Sequence, residues 1–231
     1  MAKNLLRYER QEALMGERNS MNKTDLDASF MRMKDDHMQN GQLKPGYNFQ
    51  ISTKKQVIAN YTLAQTTADT TTFIDRLEEH IASFNEKPNT LTIDAGYGSE
   101  ENYTTLESHG IETFVEYNYF HKELLDKKRG KFHPYNLYYN VQTDTYYCPM
   151  GQPMKNIGLH HKKTKTGFVQ TITSYQAFRC TWYPHKAQCH RAKTNRIIQR
   201  NHNLQRLKQQ AKEKLLSEKG IAHRKKTLLE C

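Results

Sequence analysis

Three groups of side chains in this sequence have types and spacings that could do chemistry. The first is a single carboxylate, Asp94, within TLTIDAGYGSEEN. Leu91 and Ile93 alternate ahead of it as a short buried strand would, and Gly96 and Gly98 follow in a turn small enough for a metal ion or a backbone to approach. In strand-helix-strand units, ligands sit beyond the carboxyl ends of the strands, which makes Asp94 the leading functional carboxylate. Asp before Ala-Gly also marks plain turns and helix caps, so the local pattern leaves both readings open. The second group is Cys148, Cys180 and Cys189, with His185 or His190 as a further ligand. It reads either as a one-knuckle zinc site or as buried and free thiols. The third is the stretch HHKKTKTG, whose Lys162, Lys163 and Lys165 suit contact with DNA phosphates.

The elements that must position these residues follow from periodicity and punctuation. Around Asp94 the sequence predicts a strand, a Ser99 helix cap, a helix to about His109, a Gly110 terminator and a second strand from Ile111 to Val115. Upstream, residues 46–53 and 56–64 read as an antiparallel hairpin turning at Lys54-Lys55. Asp69 reads as the cap of a helix over residues 70–84, whose stripe of Phe73, Ile74, Leu77, Ile81 and Phe84 faces the sheet. The first residues form a helix closed by Gly16, and the polar stretch from Met21 to Gly46 reads as a loop. Downstream, YNLYYNVQTDTYYCPMGQPM and GFVQTITSYQAFRC suggest hairpins whose many rings pack a small sheet. A last helix over residues 202–219 carries Leu204, Leu207, Ala211 and Leu215 on one face.

The resulting division is a helical and loop lead-in (1–45), a strand-and-helix core that carries Asp94 (46–116), a basic aromatic-rich insertion (117–200), and an amphipathic basic helix with the last residues (201–231). A chain of 231 residues with 36% hydrophobic residues has room for one compact domain and something looser. Mean hydropathy of -0.93 and the lack of a long apolar run argue against a membrane span, and no apolar signal stretch opens the chain, so a cytoplasmic, nucleoid-associated protein is expected. The net charge of +11 is unevenly spread. Residues 1–116 carry 12 Lys and Arg against 18 Asp and Glu, whereas residues 117–231 carry 23 against 6. The acidic part suits a divalent metal held by carboxylates, and the basic part suits a phosphate backbone.

The strings KTDLDASFMRMKDDHMQNGQLKPGYNFQIST, IDAGYGSEENYTTLESHGIETFVEYN and NLQRLKQQAKEKLLSEKG resemble consecutive blocks of bacterial insertion-sequence transposases with the DDE catalytic domain. The resemblance runs from about residue 20 to 220. It implies an α/β fold, a ribonuclease-H-like mixed sheet with helices, here incomplete and joined to a basic β-rich insertion. It also implies cleavage and strand transfer of DNA through two Mg²⁺ ions held by three carboxylates. Asp94 matches the family's second catalytic aspartate. Asp25 and Asp27 stand in a block where the family keeps acidic residues, although an Asx turn explains them as well. Relatives carry more cysteines in the stretch around Cys148 to Cys189, and Tyr183 stands where a ligand would be expected.

Two departures matter. No DGT-like string precedes KTDLDA to supply the first aspartate, and HRKKTLLEC stands where the third carboxylate's segment would be, so Glu230 is not assigned that role and Cys231 reads as incidental. The expectation is thus a family member truncated at both ends, lacking two of three catalytic carboxylates. Two readings follow. One is a fragment of a transposase that in intact form binds double-stranded transposon-end and target DNA and cuts and joins strands. The other is a non-catalytic remnant that binds DNA, a second copy of itself or a full-length transposase.

Overall fold

The computed structural model describes all residues except Met1, Glu17, Lys34, Asp35, His37, residues 126–128, Thr181, Trp182, Glu230 and Cys231. Glu230 and Cys231, both named from the sequence, therefore lie outside the described residues. The described part is mixed α/β, with seven helices and several separate sheets. Among the described residues, three of the sheets have two strands each and one has five. No described helix is long and apolar enough to cross a membrane. The chain divides into two compact units, Met1–Leu91 with Lys225–Cys231, and Thr92–Arg224.

The first unit opens with α1 (Ala2–Met15), closed as expected by Gly16 in the left-handed region at φ 56. The stretch expected to be a loop instead contains a short antiparallel pair, β1 (Ser29–Arg32) and β2 (Leu43–Gly46). The pairing was hidden because Pro45 sits in β2, where a two-stranded edge tolerates its missing N–H. β3 (Asn48–Lys54) and β4 (Val57–Ala64) form the predicted hairpin, but its two-residue turn is Lys55-Gln56, both at positive φ. α2 (Phe73–Phe84) buries Phe73 and Leu77 and also Arg76. The Arg76 guanidinium donates to Ser52 Oγ at 2.6 Å, Asn60 O at 2.7 Å and Thr62 Oγ1 at 3.1 Å. The predicted apolar stripe fades toward Phe84, which is exposed, because the hairpin face under α2 is polar. Asp69 caps nothing with its side chain. It lies in a 3-10 turn and accepts instead from Asn48 Nδ2 at 2.7 Å.

β5 (Thr90–Ile93) and β6 (Glu112–Val115) are paired in a two-stranded sheet, with α3 (Glu100–Ser108) between them in sequence. Ser99 caps α3 by accepting from Asn102 N at 3.2 Å, and Gly110 follows the helix at φ 65, as the sequence predicts. α4 (Phe120–Leu124) buries Phe120 against Phe114, Tyr117 and Leu215. The predicted hairpins make one antiparallel sheet of β7 (Tyr138–Asn140), β8 (Thr145–Tyr147), β9 (Pro153–Lys163), β10 (Val169–Ala177) and β11 (Ile197–Arg200), in the order β11-β10-β9-β8-β7. A bulge that leaves Ile157 of β9 unpaired, beside Gly158 at φ 127, shifts the register between Ser174 and Tyr175, and Tyr175 packs in the core with Leu137, Tyr146, Met154, Ala177 and Ile198. After α5 (Lys186–Cys189), the long helix α6 (His202–Leu216) buries Leu207, Ala211 and Leu215, while Leu204 is half-buried. α7 (Glu218–Leu229) starts close against the end of α6, where a Cβ on Gly220 would collide with Lys214 O.

A polar cluster joins β10 to α6. Tyr175 and Tyr139 hydroxyls donate to Asp144 Oδ1 at 2.5 and 2.8 Å, Asn156 donates to Asp144 Oδ2 at 2.7 Å, and His202 Nε2 lies 2.7 Å from the Tyr175 hydroxyl. Burial pushes the Asp144 carboxyl up, but the hydrogen bonds from Tyr175, Asn156 and Tyr139 outweigh it and leave it below its ordinary value. Burial holds His202 below the ordinary histidine value despite the nearby Asp144 charge, and burial does the same for His133 and His190. A depressed histidine contributes stability that is complete above about pH 6.5 and is lost as pH falls toward its folded value, because the unfolded chain takes up the proton first. The depressed Asp144 adds a second loss, below about pH 4. The melting temperature should therefore hold between pH 8 and 7, fall between about pH 6.5 and 5, and fall again below about pH 4. The upper step should shrink in His202→Gln, and a melting temperature that rises on acidification to pH 5 would contradict the assignment.

Candidate functional site

The turn that carries Asp94 is fixed by contacts on both sides of it. Asp94 is extended at φ -63, ψ 157, exposed, and follows β5 directly. Its Oδ1 accepts from Ala95 N at 2.6 Å, so the carboxylate caps the 3-10 turn Ala95–Tyr97. Asp94 thus stands at the tip of β5 and caps the turn that follows. Gly98 closes the turn where a side chain would not fit: a Cβ there would stand 2.8 Å from Glu116 O, 3.2 Å from the Tyr103 hydroxyl and 3.3 Å from Ala95 O. Tyr103 is buried, and that burial raises its pKa, so its hydroxyl stays protonated behind the turn. Asn102 Nδ2 donates to Tyr97 O at 2.8 Å, tying the turn to α3.

The next residue that matters was not marked by any motif. Glu100, the first residue of α3, is 4% exposed, and its carboxylate accepts from three side-chain amides. Gln170 of β10 and Asn201 donate to Oε2 at 3.0 and 2.5 Å, and Asn203 of α6 donates to Oε1 at 2.9 Å. Asn201 also caps α6 through its own oxygen, accepting from Leu204 N at 2.8 Å. The carboxylate thus sits at the N-terminal ends of α3 and α6, where both helix dipoles favour negative charge. Neighbouring contacts run in parallel: Arg206 holds Glu107 through bonds of 2.9 and 3.0 Å, and Thr166 donates to Glu101 Oε2 at 2.5 Å.

The last of these contacts brings two predicted sites onto one element. Lys162 and Lys163 end β9 and Lys165 lies in the turn that follows, all exposed. The stretch HHKKTKTG is therefore half strand and half turn, and it is the tip of the β9-β10 hairpin. Through Thr166, that tip is fastened to the first turn of α3, the helix into which the Asp94 turn leads. Asp25 and Asp27 belong to the other unit, where both oxygens of Asp25 accept from the Tyr47 hydroxyl at 2.9 Å and Asp27 accepts from Gln65 at 3.4 Å. The Asp25 hydrogen bond raises the pKa of Tyr47.

Cys148, Cys180, Cys189 and His190 line one small cavity, together with Tyr183 and Arg196. His185, the other histidine considered, sits against Phe132 with ring centroids 6.3 Å apart. Arg196 went unremarked in the sequence, yet its guanidinium donates to Cys189 Sγ at 3.1 Å and its backbone N–H points at Cys180 Sγ at 3.5 Å. Among the described residues, no three His, Cys, Asp or Glu side chains are gathered so that they could hold a metal ion as they stand.

Residues 147–231 match the family model described as Transposase DDE domain, the domain of the family that the motifs resemble. The match takes in the hairpin tip, the cysteine cavity and α6, and it begins after Asp94. No curated protein and no solved structure matches the chain.

Since the Asp94 turn leans on a close backbone approach, Gly98→Ala should destabilise the protein by about 1–3 kcal/mol in urea unfolding. An unchanged midpoint would show that the turn has room the contacts deny it.

Proposed function

We propose that this chain handles transposon DNA as a DDE transposase does, with Asp94 as a ligand of a catalytic Mg²⁺ pair in a ribonuclease-H-like core and Lys162, Lys163 and Lys165 as contacts to the phosphate backbone. The observation that carries this reading is the Thr166–Glu101 hydrogen bond, because it fastens the basic hairpin tip to the helix next to Asp94. A strand laid along the lysines would be led toward an exposed carboxylate whose turn is already braced. Exposed lysines on a hairpin end bring positive charge to phosphates without burying it, so each contact stabilises through counterion release. Asp94 would contribute a hard oxygen ligand to a metal that activates the attacking oxygen and steadies the leaving one. The chemistry needs further carboxylates beside Asp94, and a second copy or a full-length transposase is a chemically suitable source of them.

Two measurements test the reading. Binding of a labelled 40-base-pair transposon-end duplex, followed across a salt series, should give a log–log slope that flattens by about 2–3 when Lys162, Lys163 and Lys165 are all replaced by Ala. An unchanged slope removes the hairpin tip from the interface. For the metal, Mn²⁺ added to the isotope-labelled protein should broaden the amide signals of Ala95 to Ser99, and Asp94→Asn should abolish the broadening. DNA binding without any such broadening would favour the non-catalytic, DNA-binding remnant over a catalytic fragment.

A further inference from the structure

The cysteine cavity has a use that neither DNA contact nor strand cleavage accounts for. Three separate elements deliver its ligating groups. Cys148 leaves β8 in a tight turn in which Gly151, at φ 80, donates to Cys148 O at 2.8 Å. Cys180 follows β10 and is held by Asn195, which accepts from Cys180 N and donates to Phe178 O, both at 2.9 Å. Cys189 ends α5, and His190 follows in extended backbone at φ -162, ψ 158.

Polar atoms at this cavity lack the partners that burial demands. Both ring nitrogens of His190 and the Tyr183 hydroxyl are buried with no hydrogen-bond partner. Leaving such groups unpaired costs about 1–3 kcal/mol each, and a native structure avoids that unless something else fills the site. The cavity, about 20 Å³, has room for a single small occupant. The sulfurs, in contrast, already receive donors: the guanidinium of Arg196 on Cys189 and its backbone N–H on Cys180. N–H groups aimed at thiolate sulfur are the outer support that metal-bound ligands use.

We propose that Cys148, Cys180, Cys189 and His190 form a structural zinc site. Three thiolates and one neutral imidazole make a closed tetrahedral set for Zn²⁺, with no position left for substrate. Loading draws the side chains inward from their present separation, releases the thiol protons to solvent and gives the ion one nitrogen of His190. The Tyr183 hydroxyl then donates to a bound sulfur. The ion would fasten β8, the end of β10 and α5 to one another, holding the far end of the sheet that carries the basic hairpin.

The test uses the full chain, purified under reducing conditions. Metal analysis should find one zinc per chain, and Co²⁺ in its place should give the ligand-field absorption of a tetrahedral, thiolate-rich site. Cys180→Ser and His190→Ala should each lose that spectrum or change its form, and Arg196→Gln should weaken zinc by about 10–100-fold against a chromophoric chelator. Should the cysteine variant fail to fold, alkylation of the unmutated chain still decides the matter. Zinc should protect Cys148, Cys180 and Cys189 from the reagent. Zinc well below one per chain with thiols equally reactive in its presence, or metal binding that survives both Cys180→Ser and His190→Ala, would overturn the proposal.

Discussion

A single buried carboxylate organises the unit that holds the candidate site. Glu100 sits at the start of α3 and accepts hydrogen bonds from Gln170, Asn201 and Asn203, which belong to β10 and to the beginning of α6. A buried charge is costly unless it is fully hydrogen-bonded, and here three amides and two helix N-termini supply what water would have supplied. The arrangement is demanding in geometry: Asn201 must turn its nitrogen to Glu100 and its oxygen to Leu204, which fixes the entry of α6. Every element around it inherits that constraint.

Through Glu100 the Asp94 turn is connected to the segment that matches the transposase family. The match begins at residue 147 and so does not include Asp94, yet β10 and α6 lie within it and both reach Glu100. The Thr166–Glu101 and Arg206–Glu107 contacts repeat the connection along α3. An exposed carboxylate on a turn holds its position only through rigid neighbours, and α3 supplies them for Asp94. The zinc cluster, if loaded, would stiffen the opposite end of the same sheet, so that the basic hairpin would be braced at both ends.

What could be read from the sequence was local. Ser99, Gly110 and the alternation of Leu91 and Ile93 announce a strand, a capped helix and a second strand, since each signal acts within a few residues of where it stands. The hairpin of β3 and β4 and the face of α6 were legible for the same reason. The β1-β2 pair was not, because Pro45 and its polar neighbours speak for a loop and only pairing makes them a strand. The candidate site was half legible: Asp94, the lysines and the three cysteines carry recognisable chemistry. Glu100 does not, because its partners lie far along the chain, and neither does Arg196, because an arginine near cysteines forms no motif. Asn201 is 101 residues from Glu100, and Cys189 is approached by a guanidinium that sequence alone would place in solvent.

Hydrogen exchange in the Glu100→Gln variant tests the central role of that carboxylate most directly. Replacing one acceptor oxygen by an amine removes an acceptor from Asn203 or from the Gln170–Asn201 pair while leaving the size of the side chain unchanged. Amides of α3, of the first turns of α6 and of the Ala95–Tyr97 turn should then exchange faster together, as one loosened unit. Faster exchange confined to α3, with α6 and the Asp94 turn as slow as in the unaltered protein, would contradict the account.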